Sequence, residues 1–171
     1  MIFMSQSGLA DPARDPDWDT WYIEHLRVMA SVSGVDSAQR FKTRSALQSP
    51  SLAMYTMRSA GVFSDPYYLS IRGLGEFANL VDRRWYRRNL FEGSDRAPAV
   101  RMDERLLVHD SAEPVRMCAG IAMTPLEAVG LDRSTPWRCI AVVPAAGLDA
   151  AALEAAGVAV YVPATGVFTG V

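Results

Sequence analysis

The stretch from Asp15 to Gly34 constrains the fold most, because it combines two helix-end signals with one apolar face. Asp15 and Pro16 suit a helix start, since an aspartate side chain accepts hydrogen bonds from free backbone N–H groups and proline tolerates the first helical position. Gly34 suits the end. At about 100° per residue, half of the helix surface carries Trp18, Trp21, Tyr22, His25, Met29 and Val32. The pattern predicts a helix that buries this face, with His25 near its centre.

Charge and hydropathy exclude several classes of function. The 171 residues carry a formal net charge of −2, which gives no general attraction for nucleic acid. A basic and aromatic run at 83–88 is better explained as a solvated helix end than as a nucleic-acid patch. No apolar run approaches the roughly 20 residues of a membrane span, and the N-terminus lacks a basic leader. We therefore expect a cytoplasmic protein that contacts neither nucleic acid nor membrane.

Periodicity predicts two parts, 1–112 and 113–171. In the first part, alternation and turn signals predict strands at 2–7, 37–44, 52–58 and 106–108. The start signal Ser64-Asp65-Pro66 predicts a second helix that extends to Phe91, with breaks at Gly73 and Gly75. The order is βαββαβ.

The second part is punctuated by prolines and is predicted to contain shorter elements. These are strands at 116–123, 137–143 and 158–162, and an alanine-rich helix at 148–156. Two interpretations stay open: a degenerate second copy of βαββαβ, or a C-terminal extension that covers the first part.

A family resemblance rests on motifs at three places. They are Trp21-Tyr22-Ile23-Glu24-His25-Leu26, Val32-Ser33-Gly34-Val35 and Arg40-Phe41. In this order they resemble the dimeric α/β-barrel superfamily, in particular its EthD-like members, over about residues 2–110. The resemblance implies an α+β, ferredoxin-like βαββαβ sandwich, in which a second sheet, usually supplied by a homodimer partner, closes a barrel. The resemblance therefore implies a homodimer. Such proteins are often only as long as the first part, so the alternative is that residues 113–171 replace the partner and close the barrel within one chain.

His25 is the first candidate for chemistry in the ligand cavity that such a barrel can enclose. An imidazole near its ordinary pKa takes and returns a proton at neutral pH, which suits enolisation, dehydration or ring closure. The competing interpretation is a structural histidine that donates to a backbone carbonyl and packs between Trp21 and Met29.

Arg40 and Tyr55 are the secondary candidates, because they occupy predicted strands that can face the barrel. A guanidinium binds a carboxylate or enolate, and a phenol donates to a developing oxyanion. Alternation does not identify the strand face that forms the interior, so Arg40 is equally compatible with a surface position.

Four further residues are predicted to contact the substrate. Trp21 and Tyr22 would form apolar walls, and Tyr67 would lie at the pocket mouth. Glu24 would either orient His25 or act as an acid, against the alternative of an exposed carboxylate on the helix flank.

No metal or organic cofactor is predicted. Cys118 and Cys139 lie in apolar contexts without a metal-ligand spacing, which indicates buried free thiols. His109 is the second of only two histidines, but no further His or Cys cluster supports a metal shared with His25.

These observations lead to a first hypothesis and two alternatives. The first is a cofactor-independent isomerase, cyclase or lyase that acts on a small hydrophobic carbonyl metabolite, with His25 as the proton-transfer group. The second is a non-catalytic ligand-binding or assembly protein whose pocket is filled by side chains. The third is a haem-binding protein, which would need an axial ligand with open space beside it.

Overall fold

The computed structural model describes residues 1–170, in which short helices separate longer strands. In chain order the elements are β1 (Ile2–Ser7), α1 (Asp15–Ala30), β2 (Val35–Lys42), β3 (Ser51–Met57), α2 (Pro66–Ile71), β4 (Arg87–Glu92), β5 (Glu104–Ser111), β6 (Met117–Cys118), β7 (Ile121–Ala122), β8 (Thr124–Leu131), β9 (Trp137–Pro144), α3 (Ala150–Ala155), β10 (Ala159–Pro163) and β11 (Phe168–Thr169). Short 3-10 helices occupy Pro12–Arg14, Ala60–Ser64 and Gly75–Phe77.

Eight strands form a closed antiparallel barrel in the order β10, β5, β9, β8, β4, β1, β3, β2. Closure occurs where β2 pairs with β10, through Lys42 opposite Val162 and Phe41 opposite Pro163. The expected α+β, ferredoxin-like βαββαβ sandwich of the dimeric α/β-barrel type is therefore wrong, since the fold is a closed β-barrel with few helices. Side-chain alternation predicted strands. It could not show that β2 and β4, the edge strands of the sheet formed by β1 to β4, pair with the later strands β10 and β8 of the same chain.

Closure within one chain also changes the expectation of a homodimer. Strand β5 lies before residue 112 and pairs with β9 and β10, which lie after it, so strands from both predicted parts share one sheet. Because the barrel is complete in a single copy, its closure gives no support to pairing between two copies. A homodimer stays a prediction, which light scattering tests.

The second helix is shorter than predicted. It ends at Ile71, and the residues expected to continue it to Phe91 include the strand β4. This segment is helix-compatible by composition, but β4 lies between β1 and β8 and is paired on both sides. Tertiary pairing has overridden local propensity.

The second part of the chain differs from expectation at its first strand. Residues 116–123 contain the two short strands of the β6–β7 hairpin, joined at Ala119 and Gly120, whose φ angles are 49° and 77°. The longer strand β8, which follows, was not predicted. Proline at its second position obscured it, because proline is uncommon inside a central strand.

The barrel interior is filled by side chains. Its apolar members are Ile2, Met4, Phe41, Leu52, Met54, Phe91, Leu106, Val108, Leu126, Ala128, Ile140, Ala159 and Tyr161. A polar network lies among them: the Arg138 guanidinium donates to Asp110 at 2.7 and 2.8 Å and to Gln6 at 2.7 Å, while Gln48 donates to Asp110 at 2.8 Å. Most of the interior is therefore a packed core. A cavity of about 430 Å³ remains where the inward-facing Gln39, Met54 and Thr56 of β2 and β3 meet the segment 96–99.

Two separate layers cover the outside of the barrel. Helix α1 buries Trp18, Tyr22, Leu26 and Met29 against outward side chains of β1 and β3. The β6–β7 hairpin and α3 cover β5, β9 and β10 in the same way. Within residues 1–170, no helix has the length and apolarity needed to cross a bilayer.

Candidate functional site

A pocket of about 170 Å³ lies between α1, the segment after α2 and the outer face of β1, β3 and β4. Its lining comprises Phe3, Ser5, Tyr22, His25, Met29, Tyr55, Tyr68, Arg72, Gly73, Leu74, Tyr86 and Arg88. Helical spacing places Tyr22, His25 and Met29 on one face of α1, and strand alternation places Phe3 and Ser5 on the outer face of β1. The pocket therefore lies outside the barrel, under the predicted aromatic face of α1.

His25 faces this pocket and is held by aromatic rings. Its imidazole stacks on Trp21, with ring centroids 4.6 Å apart and planes 14° apart, and meets Tyr22 edge-on at 5.8 Å. Within residues 1–170 its ring nitrogens make no hydrogen bond, so the expected alternative of a histidine paired with a backbone carbonyl does not describe it. Burial lowers the pKa of His25 from 6.5 to about 4, and the imidazole is therefore neutral at pH 7.

Three tyrosines supply protonated phenols around the imidazole. Burial raises the pKa of Tyr22 and of Tyr68 and raises that of Tyr55 well above its ordinary value. For Tyr22 the effect of burial is partly offset by Arg40 and by neighbouring serine hydroxyls. At neutral pH these phenols carry their protons, and each can donate a hydrogen bond to a bound ligand.

Two arginines make the pocket electropositive. Arg72 and Arg88 both contribute to the lining, and no lining residue is acidic. Neither guanidinium forms an ion pair within the described part of the chain. Among residues 1–170 the buried Nε atom of Arg88 has no hydrogen-bond partner, a state that is unfavourable unless a ligand accepts from it. The pocket therefore offers many donors and two positive charges, which suits an oxyanion or a carboxylate.

Arg40 and Tyr55 both point outward, away from the barrel interior that their strands could have faced. Tyr55 reaches the pocket. Arg40 lies beside it under α1, where its Nη1 donates to Asp19 at 2.8 Å, its Nε donates to Ser51 at 3.0 Å, and its guanidinium lies 4.2 Å from the centre of the Tyr22 ring. Arg40 thus contacts a wall of the pocket and does not line it.

The four predicted contact residues separate into two groups. Tyr22 lines the pocket, and Trp21 supports His25 from behind by stacking. Glu24 is exposed and pairs with Arg27, one turn along the helix. Tyr67 is exposed, with its hydroxyl 3.3 Å from that of Ser31. Glu24 and Tyr67 therefore do not reach the pocket.

Sequence reasoning missed the residues that determine the charge of the pocket. Arg72 follows the C-terminus of α2, and Arg88 lies in a strand that was predicted as helix. They are 16 positions apart and converge only because β4 packs beside β1. The aromatic residues in the 83–88 run were a signal, since Tyr86 also lines the pocket.

The pocket beside His25 does not suit the metal or haem sites that were considered from the sequence. Across residues 1–170, no three His, Cys, Asp or Glu side chains are grouped closely enough to hold a metal ion. His109 is remote from this pocket, and its Nδ1 lies 2.9 Å from the carbonyl oxygen of Gly157. A cavity of about 150 Å³ holds one benzene ring, so the 170 Å³ beside His25 does not accommodate the four pyrrole rings of a haem.

Comparison of the chain with protein-family models, with curated proteins and with solved structures finds no match. The resemblance to EthD-like proteins therefore has no support from these comparisons. The case for a function depends on the geometry and charge of the pocket itself.

Proposed function

We propose that the protein is a cofactor-independent enzyme that moves a proton on a small carbonyl metabolite carrying a negative charge. The observation that carries this proposal is the unpaired imidazole of His25, which shares a pocket with protonated phenols and with two arginines that lack ion pairs. Strong pKa shifts inside a cleft are typical of catalytic groups.

The size and charge of the pocket limit the substrate. A volume of about 170 Å³ accommodates a molecule on the scale of one aromatic ring. Arg72 and Arg88 favour a carboxylate or enolate over the neutral hydrophobic metabolite expected from the sequence. Phe3, Met29 and Leu74 provide an apolar surface for the remainder of the molecule. A compact 2-oxo acid meets these requirements.

The pocket residues suit proton abstraction beside a carbonyl group. Neutral His25 has a free lone pair, which accepts the proton as the C–H bond breaks, and the electron pair moves onto the carbonyl oxygen to form an enolate. The phenols of Tyr55 and Tyr68 are protonated and can donate to this oxygen. A substrate anion beside His25 raises the pKa of the imidazole and so strengthens it as a base. Return of the proton to another atom completes an isomerisation.

Hydrogen–deuterium exchange tests the proposal without knowledge of the product. Phenylpyruvate and 2-oxobutyrate are incubated with the protein in D₂O, and loss of the C3 proton signal is followed by NMR. We expect catalysed exchange that falls by about 10²-fold or more in His25→Gln, because general bases typically contribute 10²–10⁴-fold. Glu24→Gln is the matched control, since it changes the adjacent, exposed helix position. Undiminished exchange in His25→Gln would exclude His25 as the base.

A second candidate function is binding of the same anion without turnover. The pKa of His25, about 4, favours it, because an imidazole of this pKa is a weak base until an anion is bound. Benzoate serves as the probe in a calorimetric titration. Binding that is weakened by Arg72→Ala, together with no exchange of any 2-oxo acid, would establish this function over the enzymatic one.

We include a cytoplasmic location in the proposal. Cys118 and Cys139 are both free thiols, which is the usual state in a reducing compartment.

A further inference from the structure

A second cavity of about 810 Å³ lies on the outside of the barrel, over the junction of β2 and β10. Helix α1 borders it through Asp15 and Trp18, and α3 borders it through Ala150 and Glu154. It therefore occupies the gap between the two outer layers. It shares no lining residue with the His25 pocket.

The floor of this groove is an apolar strip with cations on both sides. Val160 and Val162 point outward from β10, and Val162 is paired with Lys42 of β2. On the other side, Tyr161 is paired with Leu106, so the next position along β5 places Arg105 beside Val162. Lys42 and Arg105 thus lie two strand spacings apart, or about 10 Å between their backbones. A ligand with an apolar body can lie along this strip.

The carboxylates of the groove do not neutralise all of its cations. Lys42 lies 2.6 Å from Asp19 and 3.8 Å from Asp15, and Asp19 also accepts from Arg40. These two cations and two anions balance. Arg44 and Arg105, which also line the groove, form no ion pair within residues 1–170. The Nη1 atom of Arg105 donates to the carbonyl oxygens of Met102 and Glu104 at 3.2 and 2.6 Å, which leaves its Nη2 and Nε atoms for a ligand.

Glu154 is the remaining acid in the lining, and the loop between β2 and β3 engages it. Its carboxylate accepts from the Ser45 hydroxyl at 2.8 Å and from the Ala46 N–H at 3.2 Å. At the opposite wall, Arg40 is 1% exposed and its Nη2 atom has no hydrogen-bond partner in the part of the chain that the structure describes. The groove therefore contains two cations without ion pairs, one acid that meets only neutral donors, and a buried donor without an acceptor within residues 1–170. Its four cations exceed its three carboxylates by one positive charge.

We propose that this groove binds a single-chain anionic amphiphile, with a carboxylate or phosphate head and an alkyl tail. The head lies between Arg44 and Arg105, because a guanidinium matches either oxyanion with two parallel hydrogen bonds. The tail covers the exposed Val162 and the parts of Val160 and Leu148 that their packing beside α3 leaves open. The volume lies within the 300–1,000 Å³ range that is usual for ligand sites.

Calorimetric titration with octanoate, octyl phosphate and octanol tests the proposal and separates the two head groups. We expect one of the anions to bind, with at least tenfold weaker binding in the Arg44→Ala/Arg105→Ala double variant and for uncharged octanol. Arg116→Ala is the matched control, since Arg116 is an exposed arginine outside the groove, and it should bind as the wild type does.

A second variant tests the tail site separately. Val162→Glu introduces a carboxylate on the apolar strip at a position that is 42% exposed, so we expect it to fold and to lose anion binding. Binding of no amphiphile to the wild type, or equal binding by the wild type and the double variant, would overturn the proposal. Neither result bears on the His25 pocket, whose exchange assay uses different ligands and residues.

Discussion

Acidification should destabilise the fold through His25. In the folded protein burial lowers the pKa of His25 to about 4, whereas the unfolded chain has the ordinary value of 6.5. Between these values the unfolded chain binds a proton that the folded protein does not, so stability falls as pH decreases from 6.5 to about 4. A difference in pKa of this size corresponds to about 3 kcal/mol, at 1.36 kcal/mol for each tenfold change in proton affinity.

Urea unfolding at a series of pH values measures this loss. His25→Gln keeps a polar side chain but cannot be protonated, so its free energy of unfolding should fall by about 3 kcal/mol less than that of the wild type over the same range. Protonation of carboxylates lowers the stability of both proteins and cancels in the comparison. His109→Gln is the matched control, because it removes the other histidine and should keep the wild-type loss.

NMR titration of the folded protein provides an independent measurement. The chain contains only two histidines, so His25→Gln assigns both imidazole signals. We expect the His25 signal to titrate near pH 4, and to move to higher pH when benzoate is bound beside it. Titration near 6.5, or equal acid sensitivity of the wild type and His25→Gln, would show that the imidazole is hydrated and would refute the burial argument.

Two further predictions concern the barrel. Asp110→Asn should lower the free energy of unfolding by about 3 kcal/mol, because it leaves the buried Arg138 without its carboxylate. Asp103→Asn is the surface control and should have no measurable effect in the same urea titration. Burial alone would raise the pKa of Asp110, but Arg138 and Gln48 outweigh it and hold this pKa below its ordinary value. The stability that the Asp110 carboxylate contributes should therefore be present above the ordinary carboxyl pKa and be lost as pH falls toward the folded value. Gly93→Ala should lower the melting temperature more than Gly120→Ala. Both glycines have positive φ, so both substitutions strain the backbone, but at Gly93 the new Cβ would also lie 2.6 Å from the carbonyl oxygen of Pro125 in β8. Equal melting temperatures for the two alanine variants would contradict that account.

Local sequence predicted the position of the main helix and one part of the candidate site. The helix occupies Asp15–Ala30, close to the predicted stretch, and Gly34 with φ of 86° leads from it into β2. The repeat of 3.6 residues placed Tyr22 and His25 on the face that meets the sheet, where both line the pocket. Alternation likewise grouped Arg40 with Ala38 and Lys42 on one face of β2.

The remainder of the site could not be predicted, because it depends on contacts between distant segments. Arg72 and Arg88 supply the positive charge, and they meet only after β4 has paired with β1. Nothing in the local pattern distinguishes the inner face of a closed barrel from its outer face, so the sequence left open the side on which Arg40 and Tyr55 lie.

By itself, the sequence determined which residues share a face, since that depends on backbone periodicity within one element. Only the tertiary structure decided which edges pair, and therefore that eight strands of one chain close into a barrel with a largely filled interior. The candidate site therefore lies outside the barrel, beneath α1, whereas the resemblance had implied a site inside it. The physical reason is that strand pairing is set by the burial of all sheet edges together, and no single segment contains this information.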